Sequence, residues 1–172
     1  MNDYDAMLCI AASEHDSNMY YATGFLVPGA FIFFKKDGKT FIVLSDLEIE
    51  RGKQEARGDE ILSMSEYRER LQKQGIEFPK LIDIADGVFQ DYQIKRVLVP
   101  GNFAIQYVDP LRERGYTVHY KELFFETRAV KTPQEIDYIQ QSQEKNEQVM
   151  DYAIQIIRES EIGANDSLYY RG

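Results

Sequence analysis

Short runs of apolar residues, rich in β-branched and aromatic side chains, alternate with polar segments along most of the chain. Runs of this length and composition are typical of buried β-strands. They predict strands at residues 6–12, 30–34, 40–44, 60–64, 96–100 and 117–120. The second and third runs flank Asp37-Gly38, a dipeptide that favours the tight turn of a β-hairpin.

Segments with apolar residues at helical spacing lie between the later strands. Ser45 and Asp46 are suited to cap a helix that runs to residue 57, and Ser65 is predicted to cap the next one. Two further helices are predicted at residues 79–92 and 105–114, the latter interrupted by Pro110. Strands and helices that alternate in this way favour an α/β sandwich with a mixed sheet.

The longest predicted helix lies in residues 127–160 and begins with a well-defined cap. Thr132 can cap with its hydroxyl, Pro133 needs no amide partner there, and Glu135 can reach back to the cap amide. Gly163 is predicted to stop the helix. One face carries Ile136, Ile139, Met150, Ala153, Ile154 and Ile157, with a polar centre at Gln143 and Asn146. Because the helix is about twice the typical length, we expect it to pack on a further structure.

Composition and charge exclude several classes of protein. The 172-residue chain is 44% hydrophobic and 13% aromatic, as in a globular protein with one sizeable core. Its net charge of −9 argues against nucleic acid or an anionic membrane as the main partner. Cys9 is the only cysteine, and its apolar neighbours predict a buried side chain. Because neither a signal peptide nor a membrane-spanning run is present, we expect a cytoplasmic protein.

Few residues could carry catalysis. His15 stands beside Asp16, but neighbours in sequence rarely face each other, so a turn or cap role is preferred. His119 alternates with Val118 and Tyr120 in a predicted strand, and we expect it to be a half-exposed strand residue. Residues 46–50 read DLEIE and could imitate a metal cluster, but basic residues beside them favour a solvated helix face. We predict no catalytic and no metal-ligating residue in this chain.

Two segments resemble motifs of one enzyme family. Residues 128–136, RAVKTPQEI, resemble the R-x-[IV]-K-[ST]-x-x-E-[IL] junction of the Xaa-Pro aminopeptidase, prolidase and creatinase family. Residues 16–25, DSNMYYATGF, are similar to N-x-x-Y-[LF]-[TS]-G-F of the same family. Together with Ser45-Asp46 after a strand, the resemblance covers nearly the whole chain in the family's order.

The resemblance implies a creatinase/prolidase N-terminal-like domain in residues 1–128. The implied fold is α/β, with a mixed β-sheet flanked by helices in a ribonuclease H-like, three-layer arrangement and a long C-terminal linker helix. Residues 129–172 would be the junction and first helix of a truncated pita-bread catalytic domain, with a second helix starting after Gly163. In the family that domain hydrolyses peptide bonds next to proline with two divalent metal ions (Mn, Co or Zn). Its ligands, two Asp, one His and two Glu, cannot be assigned in this chain, which we expect to be inactive alone.

The resemblance also points to a substrate-access loop formed by Tyr20, Tyr21, Gly24 and Phe25. Family members commonly form homodimers, in which such a loop helps to close the substrate cleft of the neighbouring subunit. Gly24 would allow a tight bend, while Tyr20 and Phe25 would offer flat surfaces to a proline-containing peptide. The alternative is that these aromatic residues anchor the loop on the core of their own domain.

Two other functions remain open. The chain could be a free-standing, non-enzymatic module of the same fold that binds peptides or proteins, and its acidic charge would suit a basic partner. It could also be the N-terminal domain of a creatinase-like amidinohydrolase, because the N-terminal motifs do not distinguish that enzyme from the peptidases.

Overall fold

The computed structural model describes residues 3–171, without the side chain of Asn165. These residues form a first compact unit that ends at Glu126 and a second that begins at Thr127. The strands of the first unit are β1 Ala6–Ala11, β2 Phe31–Lys36, β3 Lys39–Leu44, β4 Glu60–Ser63, β5 Arg96–Pro100 and β6 Thr117–Lys121. Its helices are α1 Ser17–Thr23, α2 Asp46–Glu55, α3 Met64–Lys73, α4 Leu81–Asp91 and α5 Ile105–Glu113.

The six strands form one mixed sheet in the order β4-β3-β2-β1-β5-β6. β2 is antiparallel to both of its neighbours, β1 and β3. The other pairs are parallel: β4 with β3, β5 with β1, and β6 with β5. The chain therefore starts near the middle of the sheet, builds one side with β2 to β4, and then crosses over to build the other side. This arrangement confirms the predicted mixed α/β fold.

Side chains alternate between the two faces of the sheet, as the pleat of a β-strand requires. In β1, Leu8 and Ile10 join a core that also contains side chains of α3, α4 and α5. Cys9 points to the opposite face, into a second core that includes Met19 of α1 and Phe25. The sheet is thus buried on both sides, which explains why its strands read as nearly continuous apolar runs.

The hairpin between β2 and β3 has the predicted turn. Asp37 and Gly38 both have positive φ angles, 50° and 84°. Two-residue hairpin turns of this kind need left-handed backbone at both positions, which Asp and Gly tolerate well. The turn fixes the register in which Phe33 faces Ile42 and Phe34 faces Phe41.

Three local predictions were wrong. The segment around Tyr20, expected as a surface loop, forms the short helix α1, whose first amides are capped by Asp16. The cap of α3 is Ser63 rather than Ser65, because β4 ends directly at Ser63, whose hydroxyl accepts from the amide of Glu66. α5 runs through Pro110 without a break.

The second unit contains the long helix α6, Pro133–Glu159, of 27 residues. The predicted capping box is present: the Glu135 amide donates to the Thr132 hydroxyl at 3.2 Å, and the Thr132 amide donates to the Glu135 carboxylate at 2.8 Å. The helix stops before Gly163, at Ser160, whose extended backbone leaves the helix and whose hydroxyl donates to Ile156 O. No residue of α6 is buried.

A second helix was predicted to start after Gly163, but Ala164–Asp166 form only a single turn of 3-10 helix. Residues β7 Glu161–Ile162 and β8 Leu168–Tyr169 instead pair as a small antiparallel hairpin. The Gly163 amide donates to Ser167 O at 2.8 Å, and Asp166 has a positive φ of 55°. These two features turn the chain back on itself, so that the residues after Asp166 are extended rather than helical.

Candidate functional site

Helix α1 carries the residues that were predicted to form a substrate-access loop. Tyr20 is half exposed, whereas Tyr21 is half-buried and its ring lies 5.5 Å from that of Phe125. Phe25 is 1% exposed and lies in the core, with the Arg51 guanidinium 4.3 Å from its ring centre. Of the two aromatic residues proposed to meet a peptide, only Tyr20 offers surface in this chain, and Phe25 anchors the segment. A role in substrate access stays a prediction.

Gly24 ends α1 in a conformation that few other residues could adopt. Its φ is +58°, and its amide donates to Tyr20 O at 2.7 Å. A Cβ atom at this position would lie 2.7 Å from Nε of Arg57, which covers the glycine. The left-handed backbone favours glycine here, and any larger residue would also have to displace the Arg57 side chain.

Two buried hydroxyls hold the backbone that follows α1. The Thr23 hydroxyl donates to Met19 O at 2.8 Å, and the Ser13 hydroxyl accepts from the Val27 amide at 2.8 Å. Thr23 and Ser13 are almost fully buried. Because unpaired polar groups are costly inside a protein, these bonds stabilise the observed conformation at both ends of the segment that contains α1.

A crevice opens between the carboxyl ends of β1 and β5. After β1 the chain continues into α1 on one face of the sheet, and after β5 it continues into α5 on the other face. A cavity of about 250 Å³ lies where the two connections diverge. The ends of both strands line it, together with Asp16, Asn102, Phe103 and Tyr107; we call this cavity the β1–β5 crevice.

The polar wall of the β1–β5 crevice is formed by Asp16 and Asn102. One oxygen of Asp16 accepts from the Met19 amide at 2.7 Å, and the other accepts from Nδ2 of Asn102 at 2.8 Å. Asn18 donates in turn to Oδ1 of Asn102 at 3.4 Å. The carboxylate is thus oriented by both sides of the crevice, although Asp16 is the only charged residue among the described residues that line it.

Cys9 also lines the crevice, but its thiol is not prepared for reaction. The side chain is 1% exposed. Burial, and to a smaller extent the negative charge of Asp16, raise the pKa of the Cys9 thiol well above its usual value. The reactive thiolate is therefore suppressed, as expected for a small buried residue.

The other candidates for chemistry do not come together. His15 and His119 are both exposed, in the turn before α1 and on the edge strand β6. In α2, Glu48 and Glu50 pair with Arg51 and Lys53, as expected for a solvated helix face. Within residues 3–171, as far as they are described, no group of three or more His, Cys, Asp or Glu residues could hold a metal ion. None of the helices in this part of the chain is long and apolar enough to cross a membrane.

A larger hollow of about 440 Å³ lies at the opposite end of the sheet. It is open, and most of its charged groups are already paired within the chain. Asp5 binds Arg96, and Lys36 binds Asp37. Its charge is therefore largely compensated within the chain.

No protein-family model and no curated protein sequence matches the chain. Its fold is nevertheless similar to solved structures. The X-Pro aminopeptidase from Thermotoga maritima MSB8 is 17% identical over 91% of this chain and 42% of that chain, with a TM-score of 0.71. The prolidase from Pyrococcus horikoshii OT3 is 17% identical over 93% of this chain and 41% of that chain, with a TM-score of 0.67.

A third solved structure is closer in length. The aminopeptidase P from Streptococcus thermophilus is 16% identical over 72% of this chain and 84% of that chain, with a TM-score of 0.52. This chain spans less than half of the Thermotoga and Pyrococcus proteins. At these identities the similarity shows a shared fold, and it confirms in three dimensions the resemblance that the two sequence motifs indicated.

The β1–β5 crevice was not found from the sequence. The sequence did contain one indication of the crevice, since the turn-forming residues Pro100-Gly101-Asn102 mark the carboxyl end of a predicted strand. Ligands of open α/β sheets bind outside the carboxyl ends of strands where the strand order reverses. That rule needs the strand order, which local patterns do not provide.

Proposed function

We propose that this chain is the non-catalytic N-terminal part of a metal-dependent Xaa-Pro dipeptidase or aminopeptidase. The observation that carries the proposal is the extent of the shared fold: 91% of this chain superimposes on part of an X-Pro aminopeptidase. The missing C-terminal domain would bind two divalent metal ions and hydrolyse peptide bonds next to proline. Residues 3–171, as described, supply no metal-ligand group of their own, so no catalytic step is assigned to them.

In this proposal residues 1–128 form the accessory domain and residues 129–172 lead into the catalytic domain. The apolar stripe of α6 supports the division. Ile136, Ile139, Met150 and Ile157 recur at helical spacing, and each is more than half exposed. A helix with an apolar face normally packs that face against another element. The catalytic domain is the proposed partner.

The accessory domain would shape access to the catalytic site of a homodimer. Tyr20 is the residue best placed for this role, because its ring is half exposed and α1 is held rigidly by Asp16 and Thr23. Tyr21 and Phe25 would hold α1 in position, since Tyr21 packs on Phe125 and Phe25 lies in the core.

The proposal is tested first by the reading frame beyond codon 172 of the gene. We expect the frame to continue through a domain with two Asp, one His and two Glu at metal-binding positions. The longer product should then hydrolyse Xaa-Pro dipeptides or peptides when Mn, Co or Zn is added, and residues 1–172 alone should not. A frame that ends or continues without these ligands would overturn the peptidase proposal and favour the binding module.

The loop is tested in the longer enzyme. Tyr20→Ala should raise KM for a proline-containing peptide by about tenfold, a typical loss when an aromatic contact is removed, with a smaller change in kcat. Phe78→Ala is the control, because Phe78 is an aromatic residue between α3 and α4 that is more exposed than Tyr20, 80% against 50%. Equal effects of the two substitutions would remove the assigned role of Tyr20.

A further inference from the structure

The position of the β1–β5 crevice in the sheet indicates a ligand site, whether or not the chain is part of a peptidase. β1 and β5 are parallel neighbours whose following helices, α1 and α5, cover opposite faces of the sheet. The separation of these connections leaves an opening that side chains of the strands themselves cannot fill. This is the general location at which open α/β sheets bind small ligands.

We propose that the β1–β5 crevice binds a small primary amine that carries a flat apolar group. The ammonium would bind the Asp16 carboxylate, and the apolar group would lie against Phe103 and Tyr107. No catalysis is part of this proposal, and it does not depend on the chain being part of a peptidase.

The Asp16 carboxylate is oriented and still has capacity for a ligand. A carboxylate offers about four acceptor positions. The Met19 amide and Nδ2 of Asn102 use one position on each oxygen, at 2.7 and 2.8 Å. Asp16 is half-buried, where a charge attracts an ion more strongly than it does in bulk water. With a net charge of −9, the chain also attracts cations in general.

The apolar side of the crevice selects the rest of the ligand. The rings of Phe103 and Tyr107 lie 5.9 Å apart, and both side chains are half-buried. A half-buried aromatic pair leaves ring surface on which a flat group can stack. The volume of about 250 Å³ is sufficient for one such group, since cavities of about 150 Å³ hold benzene in other proteins.

The test uses residues 1–172 labelled with ¹⁵N and two probes of nearly the same shape. Benzylamine is cationic at neutral pH, and benzyl alcohol is neutral. Benzylamine should shift the amide signals of Ala11, Ala12, Asn102 and Phe103, and it should bind about tenfold more tightly than the alcohol, as one added ion pair in a half-buried site would give.

Variants separate the site from general attraction by an acidic protein. Asp16→Asn keeps an amide oxygen that can cap α1, but it removes the charge. It should weaken benzylamine about tenfold and leave benzyl alcohol within about twofold. Glu14→Gln removes an exposed charge two residues away and should change neither affinity. Tyr107→Leu should weaken both probes.

The proposal would be overturned by any of three results. The probes could bind equally well, Asp16→Asn and Glu14→Gln could have equal effects, or the shifted amides could lie outside the crevice. An amide spectrum of Asp16→Asn that is unchanged away from residues 11–19 and from the neighbourhood of Asn102, which binds Asp16 directly, would show that the variant remains folded.

Discussion

At the scale of single residues, Asp5 makes the clearest stabilising contacts between distant parts of the chain. Its carboxylate accepts from the amides of Lys95 and Arg96 at 2.9 and 2.8 Å and from the Arg96 guanidinium at 2.8 Å. These bonds join the residue before β1 to the beginning of β5, the parallel pair around which the sheet is built. The hydrogen bond from Arg96 contributes most to a lowered pKa of Asp5.

The lowered pKa makes the contribution of Asp5 dependent on pH. Because the folded-state pKa lies below the ordinary value of 3.8, the stabilisation is complete above that value and is lost as the pH falls through the folded-state pKa. We expect Asp5→Asn to lower the free energy of unfolding by about 1 kcal/mol at neutral pH, a value reduced for the partial exposure of the ion pair. Urea unfolding at several pH values measures it.

The control for Asp5 is Asp109→Asn. Asp109 is exposed on α5 and should change the free energy of unfolding by less than about 0.5 kcal/mol at every pH. The difference between Asp5→Asn and the unchanged chain should shrink as the pH falls below 3.8. A difference that stays constant with pH would mean that Asp5 does not stabilise the fold through its charged form.

At the scale of elements, the beginning of α6 shows how a local signal defines a helix. The capping box of Thr132 and Glu135 satisfies amides that have no partner within the helix. We expect Thr132→Ala to destabilise the first turn by about 1 kcal/mol, so that amide hydrogens of the first turns exchange about fivefold faster. Hydrogen exchange resolved by residue measures this effect.

Two substitutions serve as controls for the cap. Thr132→Ser keeps the capping hydroxyl and should retain slow exchange. Ser142→Ala lies in the middle of α6, where alanine has the higher helix propensity, and should not accelerate exchange. Equal acceleration by Thr132→Ala and Thr132→Ser would contradict the assigned role of the hydroxyl.

Elements were predicted where the signal is local. β5, the β2–β3 turn and the start of α6 depend on neighbouring residues alone, and their predictions are confirmed. The cap of α3 was misplaced by two residues because Ser63 and Ser65 are equally good caps in sequence, and the end of β4 decides between them. Helix α1 was missed because its 7 residues are too few to show a helical period.

At the scale of the whole molecule, the sequence predicts the class of the fold but not which strands lie next to each other in the sheet. The order of the six strands and the divergence of α1 and α5 arise from packing between distant segments. Asp16 and Asn102, which form the polar wall of the β1–β5 crevice, are 86 residues apart. The family resemblance supplied the predicted loop at Tyr20, whereas the burial of Phe25 became visible only in three dimensions.

The distribution of buried residues predicts that the first unit folds alone. Every buried hydrophobic side chain of the described residues lies between Ala6 and Phe124, and α6 contains none. We expect a chain ending at Glu126 to unfold cooperatively in urea, with a midpoint close to that of residues 1–172. Its circular dichroism should lose the helical signal of α6.

A slightly shorter chain serves as the control, because it should not be stable if the first unit needs all of its core residues. Ending the chain at Lys121 also removes Phe124, which is 3% exposed in the same core as Phe33, and Phe125, which packs on Tyr21. Loss of a buried phenylalanine costs about 3–5 kcal/mol, so this chain should unfold at a much lower urea concentration. If the chain ending at Glu126 were destabilised as strongly, folding of the sheet would depend on the second unit. The first unit and α6 would then unfold as one cooperative structure.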